Sequence, residues 1–319
     1  MAKCAFCDAD FETGPGDVLL VCPYCGTAQT FEGAKFTKHH MVRVLFSASD
    51  AQRNLLDWIS KQLGVPQDLS TSAHFTRQEL TFYPFWVSSV DADSTYSGLG
   101  KDATFHDPWP QYPGAYKFIK FFYKPESGRF TRRYEISIPA ISGMDEKLKK
   151  FPIPTRAKEF FSHAHAEEHN GKVLHSKMDE KTAVEQARKE AYDRQTQLIM
   201  SEIQKVESRN DNINVRESFL IHVPVWELEY RYGSRKYSAL VAASNGYVIK
   251  AKYPRSKSFR AAALCSGTLF TLAGAALLTL ALVFERLIGA GIVSGSMCFV
   301  LGLMMLYKGV SRKEAAEQI

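Results

Sequence analysis

Residues 219–253 read FLIHVPVWELEYRYGSRKYSALVAASNGYVIKAKY, and this stretch decides the class of the fold. Apolar and polar residues alternate along it, and β-branched and aromatic side chains dominate. Gly233-Ser234 and Asn245-Gly246 interrupt the alternation as two-residue turns, so the spacing predicts three antiparallel strands in a meander. One part of this stretch has an echo. Val223-Pro224-Val225-Trp226 repeats the Pro-apolar-Trp core of Tyr83-Pro84-Phe85-Trp86, 140 residues upstream. Each copy lies on a β-type run that follows a predicted helix.

The first helix is expected over residues 50–63, capped by Asp50, with Leu55, Leu56, Ile59 and Leu63 as its apolar face and Gly64 as its end. The second is expected from a cap at Asp179 to about residue 208. Its stripe comprises Val184, Ala187, Ala191, Leu198, Ile203 and Val206. Residues 82–90 read as a strand. A hairpin is expected where 118–123 and 132–138 flank Pro125-Glu126-Ser127-Gly128. These signals give an α+β body over residues 39–254, an antiparallel sheet built from duplicated helix-plus-sheet units at about 50–140 and 179–254. Pro84 and Pro224 are expected at edge or bulged positions, and Trp86 and Trp226 as core anchors.

Outward toward the N-terminus, Cys4-x2-Cys7 and Cys22-x2-Cys25 form the spacing of a zinc ribbon over residues 1–38. Two tight turns each give two thiolates to one structural Zn2+ in a closed tetrahedral shell. Pro23 and Gly26 suit the second knuckle, whereas Asp8 in place of glycine makes the first one irregular. Iron in a rubredoxin-like site and a pair of disulfides are the alternatives. Four protein ligands leave no position for water, which disfavours catalysis there. The chain carries a formal charge of +6, yet residues 1–40 hold three lysines against five carboxylates. Phosphate binding needs clustered cations, so the ribbon lacks the footprint of a nucleic-acid binder.

Outward toward the C-terminus, 261–284 and 287–307 are free of charge, and each is long enough to cross a hydrocarbon core. Only Glu285-Arg286 separates them, so a two-helix transmembrane hairpin over 261–307 is expected, with a tail at 308–319. Gly267, Gly274, Ala275, Gly291, Gly295 and Gly302 permit close helix approach within the hairpin or between protomers, which admits a homo-oligomer. Lys250, Lys252, Arg255, Lys257 and Arg260 precede the first span, and Lys308, Arg312 and Lys313 follow the second. The positive-inside rule then places both termini in the cytoplasm. Those cations also favour anionic lipid headgroups near Lys250–Arg260. A cytoplasmic ribbon stays reduced, which fits zinc over disulfides. Cys265 and Cys298 fall inside the spans and are expected to be packing residues.

The layout resembles a group of prokaryotic zinc-ribbon proteins labelled as TFIIB-type ribbons or as a primosomal superfamily II helicase. The resemblance runs from the cysteine pairs through Trp58, Pro66-x-Asp68-Leu69, Tyr83-Pro84-Phe85-Trp86, Asp91-Ala92-Asp93 and Tyr96-x-Gly98. It continues in Val223-Pro224-Val225-Trp226, Tyr230-x-Tyr232, Asn245-Gly246-Tyr247-Val248 and Pro254. Some similar proteins are encoded in membrane-stress operons beside phage shock protein A or flotillin-like proteins. The resemblance implies a membrane-associated scaffold or adaptor without catalysis. A helicase is excluded, because no G-x4-G-K-S/T loop is present to cradle phosphates.

Two constellations imitate enzymes. Asp91-x-Asp93-x-Thr95 after an apolar run looks like a phosphatase nucleophile motif, yet the second acid pair for Mg2+ is missing. His165-Ala166-Glu167-Glu168-His169 has the H-x-x-E-H form of an inverzincin protease, with His163 and His175 nearby. Asn170-Gly171 stops any helix there, and polar histidines in a loop are the plainer reading. His39-His40 reads as a linker pair. The expected function is a membrane-anchored scaffold that recruits cytoplasmic or membrane-associated proteins, and not an enzyme. The competing classes are a membrane-tethered nucleic-acid binder and a metal-dependent hydrolase built on the His163–His175 cluster.

Overall fold

The computed structural model describes residues 1–30, 33, 36–106, 118–283, 288–310 and 315–316. Two small antiparallel ribbons open the chain: β1 (Ala2–Lys3) with β2 (Asp10–Phe11), and β3 (Leu19–Val21) with β4 (Ala28–Thr30). A first series follows: β5 (His39–Val42), α1 (Ala48–Ser60), α2 (Leu69–Ser72), β6 (His74–His106) and β7 (Phe118–Pro139). Then come α3 (Glu146–Lys149), β8 (Lys158–Phe160) and α4 (His163–Glu168). A second series repeats the order of the first: β9 (Lys172–Val173), α5 (Glu180–Glu202), β10 (Lys205–Tyr232) and β11 (Arg235–Ala242), continued by β12 (Val248–Lys252). The apolar helices α6 (Lys257–Val283) and α7 (Ile288–Val310) come last, and β13 (Ala315–Ala316) pairs with β12.

The body is one large, mainly antiparallel sheet with β6 and β10 side by side at its centre, in register from Lys205↔Leu99 to Arg231↔His74. The meander of residues 219–253 forms as expected, β10–β11–β12, with Gly233 and Gly246 at positive φ in its two turns. The two series interlock. β5, which precedes α1, pairs in parallel with β10, and β9, which precedes α5, pairs in parallel with β6. Leu55 and Ile59 of α1 pack in the core that holds Trp226. Ala183 of α5 packs in the core that holds Trp86. Each helix therefore covers the tryptophan of the opposite series. Both tryptophans are anchored as expected: the Trp86 indole donates to the Met178 carbonyl at 2.9 Å, and Trp226 to the Phe46 carbonyl at 2.8 Å.

The prolines do not lie on edge strands or bulges. They sit on the two central strands, at the points where the outer neighbour changes. β6 pairs with β9 at residues 81–82 and with β7 from residue 85, so Tyr83-Pro84 spans the gap. β10 pairs with β5 at 220–222 and with β11 from 225, so Val223-Pro224 spans the matching gap. A strand residue's N–H and C=O point to the same side, so the missing donor of each proline faces a place with no ladder to break. Both carbonyls remain satisfied from loops: Ala140 N donates to Pro84 O at 3.0 Å and Ala243 N to Pro224 O at 2.9 Å.

Three other local expectations are corrected. No turn forms at Pro125–Gly128; β7 runs straight through it, paired with β6 from His106↔Phe118 to Phe85↔Pro139. Pro125 is tolerated because β7 pairs with β6 alone, which leaves its outer edge free of ladder bonds. The cap of α1 is Ser47, and Asp50 is its capping-box partner three residues on. That helix ends at Ser60, which leaves Leu63 outside it and exposed. α5 stops at Glu202, and Val206 belongs to β10. The buried stripe of α5 is Ala183, Ala187, Ala191, Gln195 and Ile199, three of them small enough for the helix to lie close on the sheet. Gln195 Nε2 donates to the Ala92 carbonyl at 3.1 Å, which satisfies a polar group inside that contact.

Beyond Leu99, β6 and β7 continue without β10 as a two-stranded arm on which Phe121, Phe122 and Tyr123 are exposed. Farther back, the outer face carries an ion-pair ladder: Arg129 to Asp93 at 2.7 Å, Arg133 to Asp91 at 2.9 Å, and Arg216 also to Asp91.

α6 and α7 are each long and apolar enough to cross a membrane. They pack through glycines: a Cβ on Gly274 would lie 2.5 Å from Phe299 N, and one on Gly302 2.5 Å from Thr271 N. Gly267, Gly291 and Gly295 face the same contact, so the glycine spacing is used inside the pair. Cys265 is exposed on the outside of the pair rather than packed in it. The Glu285-Arg286 turn and the cations Arg312 and Lys313 lie outside the described residues.

Candidate metal centre

The two Cys-x2-Cys turns have the same backbone path. Asp8 N donates to Cys4 O at 3.1 Å, and Gly26 N to Cys22 O at 2.9 Å. Cys4 N donates to Ala9 O at 2.9 Å, and Cys22 N to Thr27 O at 3.0 Å. Asp8 has φ +58° and Gly26 φ +71°, so the aspartate takes the left-handed conformation that was expected to need glycine. The first knuckle is regular after all; Asp is one of the few non-glycine residues that tolerate this region.

This match brings the four sulfurs together, every pair within 4.8 Å. Cys4 and Cys25 Sγ are 3.5 Å apart, and Cys7 and Cys22 Sγ 3.7 Å. Bonds of about 2.3 Å to a tetrahedral ion put sulfurs roughly 3.8 Å apart, so the site fits an ion without rearrangement. The Phe6 amide donates to Cys4 Sγ at 3.4 Å, which supports a thiolate. Without an ion the four thiols are unequal. Burial pushes Cys22 up to about 12. Burial also raises Cys25, but hydrogen bonding with the Thr27 side chain and backbone outweighs it and brings the group to about 6. A cation is needed to hold all four as thiolates, and its binding releases protons.

The cysteine module is fastened to the body by its second ribbon. Val18 N and Leu19 N both donate to Ser176 O, at 2.8 and 3.1 Å, and Val21 N donates to His175 Nδ1 at 3.2 Å. Leu19 and Ala28 share a core with Trp86, whose ring meets Phe36 edge-on at 5.4 Å. The knuckle tips stay open. Phe6 and Tyr24 occupy the same position in their respective turns and are 68% and 69% exposed.

The histidine-rich segment is a short helix, α4, rather than a loop. It places His165, Glu168 and His169 donor atoms within 4.8 Å of one another. These three can act as ligands, but a hydrolase also needs a separate base, and the adjacent Glu167 is 3.3 Å from His163. His175 is not among these grouped donors; its Nδ1 accepts from Val21 N instead. Asp91 and Asp93 are drawn below the usual carboxylate range by hydrogen bonds from Arg133 and Arg129, so Asp93 is not poised to donate a proton and both carboxylates are engaged in ion pairs.

Sequence reasoning missed one buried pair. His39 belongs to β5, not to a linker, and its Nε2 lies 2.9 Å from His222 Nδ1; His222 Nε2 lies 2.8 Å from Leu174 O. A carbonyl only accepts, so His222 carries its proton on Nε2 and accepts from His39. Nothing in their separation of 183 residues signals the contact. Burial holds His39 well below 6.5 and lowers His222 to about 4. The unfolded chain therefore binds protons below about pH 6.5 that the folded one refuses, so stability falls as pH drops from there toward 4. About 3 kcal/mol is expected across that window. Unfolding midpoints measured against pH, compared with His222→Gln, should give a flatter acid limb in the variant.

Comparison with family models, with curated proteins and with solved structures gave no match.

Proposed function

We propose that the chain is a membrane-anchored zinc-ribbon adaptor that recruits cytoplasmic protein partners to the membrane, in keeping with the resemblance to ribbon proteins of membrane-stress operons. In this reading the four thiolates hold one structural Zn2+. Soft sulfur ligands and a tetrahedral shell favour zinc, and a reducing compartment keeps the thiols available. α6 and α7 cross the bilayer as a hairpin, with Lys257 and Arg260 at one end and Lys308 at the matching end, which puts both termini in the cytoplasm.

The observation that carries the reading is the paired display of Phe6 and Tyr24 beside four clustered cysteine sulfurs. Exposed aromatics on a rigid, metal-clamped turn suit a protein contact, because little side-chain entropy is lost when they are covered. A nucleic-acid surface has less support. Arg129, Arg133, Arg216 and Lys124 each face a carboxylate of the neighbouring strand β6. Within the cysteine module, Lys3 pairs with Asp8. The glycine seam is used between α6 and α7, so the hairpin has no need of a second copy.

Cross-linking in native membranes tests this. The wild-type chain is expected to capture a reproducible set of proteins, and Phe6→Ser/Tyr24→Ser to lose it while keeping its zinc. Recovery of only lipid or nucleic acid by the wild type, or an unchanged set in the variant, would refute the adaptor.

A further inference from the structure

A cavity of about 960 Å³ opens where the body meets α6. Arg235 enters it from the β10–β11 turn, and Arg255, Lys257 and Arg260 enter it from the segment that leads into the first apolar helix. One carboxylate, Asp68, lines it as well. Both oxygens of Asp68 are occupied by hydroxyls, Tyr232 Oη at 2.9 Å and Ser72 Oγ at 3.2 Å. Among the described residues, four cations thus line a space with one, already hydrogen-bonded, acid.

The walls are fixed. Ser256 N donates to Gly64 O at 2.7 Å, and the Phe259 ring packs so closely on Gly64 that a Cβ there would lie 2.6 Å from it. Arg260 Nε donates to Gly309 O at 3.1 Å, which ties the start of α6 to the end of α7. That bond sets the level of the cavity. From Ala261 onward α6 carries no charge through its last described turn, and α7 carries none before Lys308. Lys257 and Arg260 therefore lie about one helical turn or less outside the apolar zone, the level at which phosphate groups of a bilayer reside.

We propose that this cavity is a binding site for a phosphoryl-bearing anion, supplied by the headgroup of an anionic glycerophospholipid. Guanidinium forks from a turn and from a helix start can hold phosphate oxygens from two sides, which a single basic stretch of chain cannot do. The lipid's acyl chains would then run beside α6. The proposal rests on the reading that α6 and α7 span a membrane, and it extends that reading by adding Arg235, far from the juxtamembrane cations in sequence.

The full chain in neutral detergent provides the test. Its unfolding midpoint is read with added phosphatidylcholine, phosphatidylglycerol or inorganic phosphate. Phosphatidylglycerol is expected to raise the midpoint and phosphatidylcholine to leave it unchanged. Arg235→Gln/Lys257→Gln should weaken the phosphatidylglycerol response about 30-fold in lipid concentration, since each juxtamembrane cation contributes roughly fivefold. Lys236→Gln, one residue along and outside the cavity, should respond like the wild type. Equal responses of the wild type and the double variant would overturn the pocket. A response to inorganic phosphate as large as that to the lipid would overturn the lipid assignment in favour of a soluble phosphorylated ligand. If the chain stays in solution without detergent, the membrane reading itself fails, and the phosphate arm still reports on the cavity.

Discussion

Cys22→Ser is expected to purify without bound metal and with the first 38 residues unfolded. The core of the cysteine module consists of Cys4, Phe11, Leu20 and Cys22, with Ala2 against it. So small a cluster cannot offset the entropy of ordering about three dozen residues. The ion must supply the difference, and structural zinc contributes on the order of 10 kcal/mol in comparable small modules. Cys22 is also the most buried of the proton-holding thiols, so serine there leaves a polar group where a bond to metal was. Elemental analysis of the purified protein should fall from about one equivalent to near none. Limited proteolysis should open new cuts before residue 38, while β6 and β10 remain protected. Retention of the full metal content would contradict the assignment of this cysteine as a ligand.

Trp86→Ala should be the most damaging single change in the body. The indole is fully buried, and it is shared by the cysteine module and α5, through Phe36, Leu19 and Ala183. Truncating such a side chain costs about 3–5 kcal/mol when the surroundings cannot collapse. It also removes one of the two donors to the Met178 carbonyl, which keeps its hydrogen bond from Ser176 Oγ at 2.7 Å. Trp86→Phe separates the two terms: it keeps most of the volume and loses one hydrogen bond to a carbonyl that Ser176 still satisfies, at a cost of about 1 kcal/mol. Denaturant midpoints of the detergent-solubilised chain measure both. A loss of less than 1 kcal/mol in Trp86→Ala would mean that the module is not held through this ring.

What the sequence showed and what it concealed divide along physical lines. The cysteine knuckles, the Gly233-Ser234 and Asn245-Gly246 turns and the apolar helices are local, and each was read at its place. The long strands were not. β6 runs 33 residues through Ser88-Ser89 and Ser94-Thr95-Tyr96-Ser97-Gly98, a composition that alone suggests a loop. These residues are extended because β7 on one side and β10 on the other satisfy their backbone groups, and neither partner is near in sequence. Pro125 misled for a similar reason. It marks a turn only where a strand needs ladder bonds on both edges, and β7 needs them on one. Asp8 looks like a defect by residue type alone, and only the hydrogen bonds of its turn show that the two knuckles are alike. The His39–His222 pair and the cavity around Arg235 depend on which strands become neighbours, and no short window contains that information.

The exchange of β5 and β9 between the two series has a consequence for biogenesis. The first half, emerging alone from the ribosome, lacks β9, which pairs with β6, and α5, which covers Trp86; both come from the second series. The sheet closes only when residues near 250 have emerged, and the next segment of chain to appear is the first greasy helix. If α6 and α7 span a membrane, as proposed, completion of the sheet and insertion of the pair fall close together in synthesis, and a chain stalled before that point should be a substrate for chaperones and proteases.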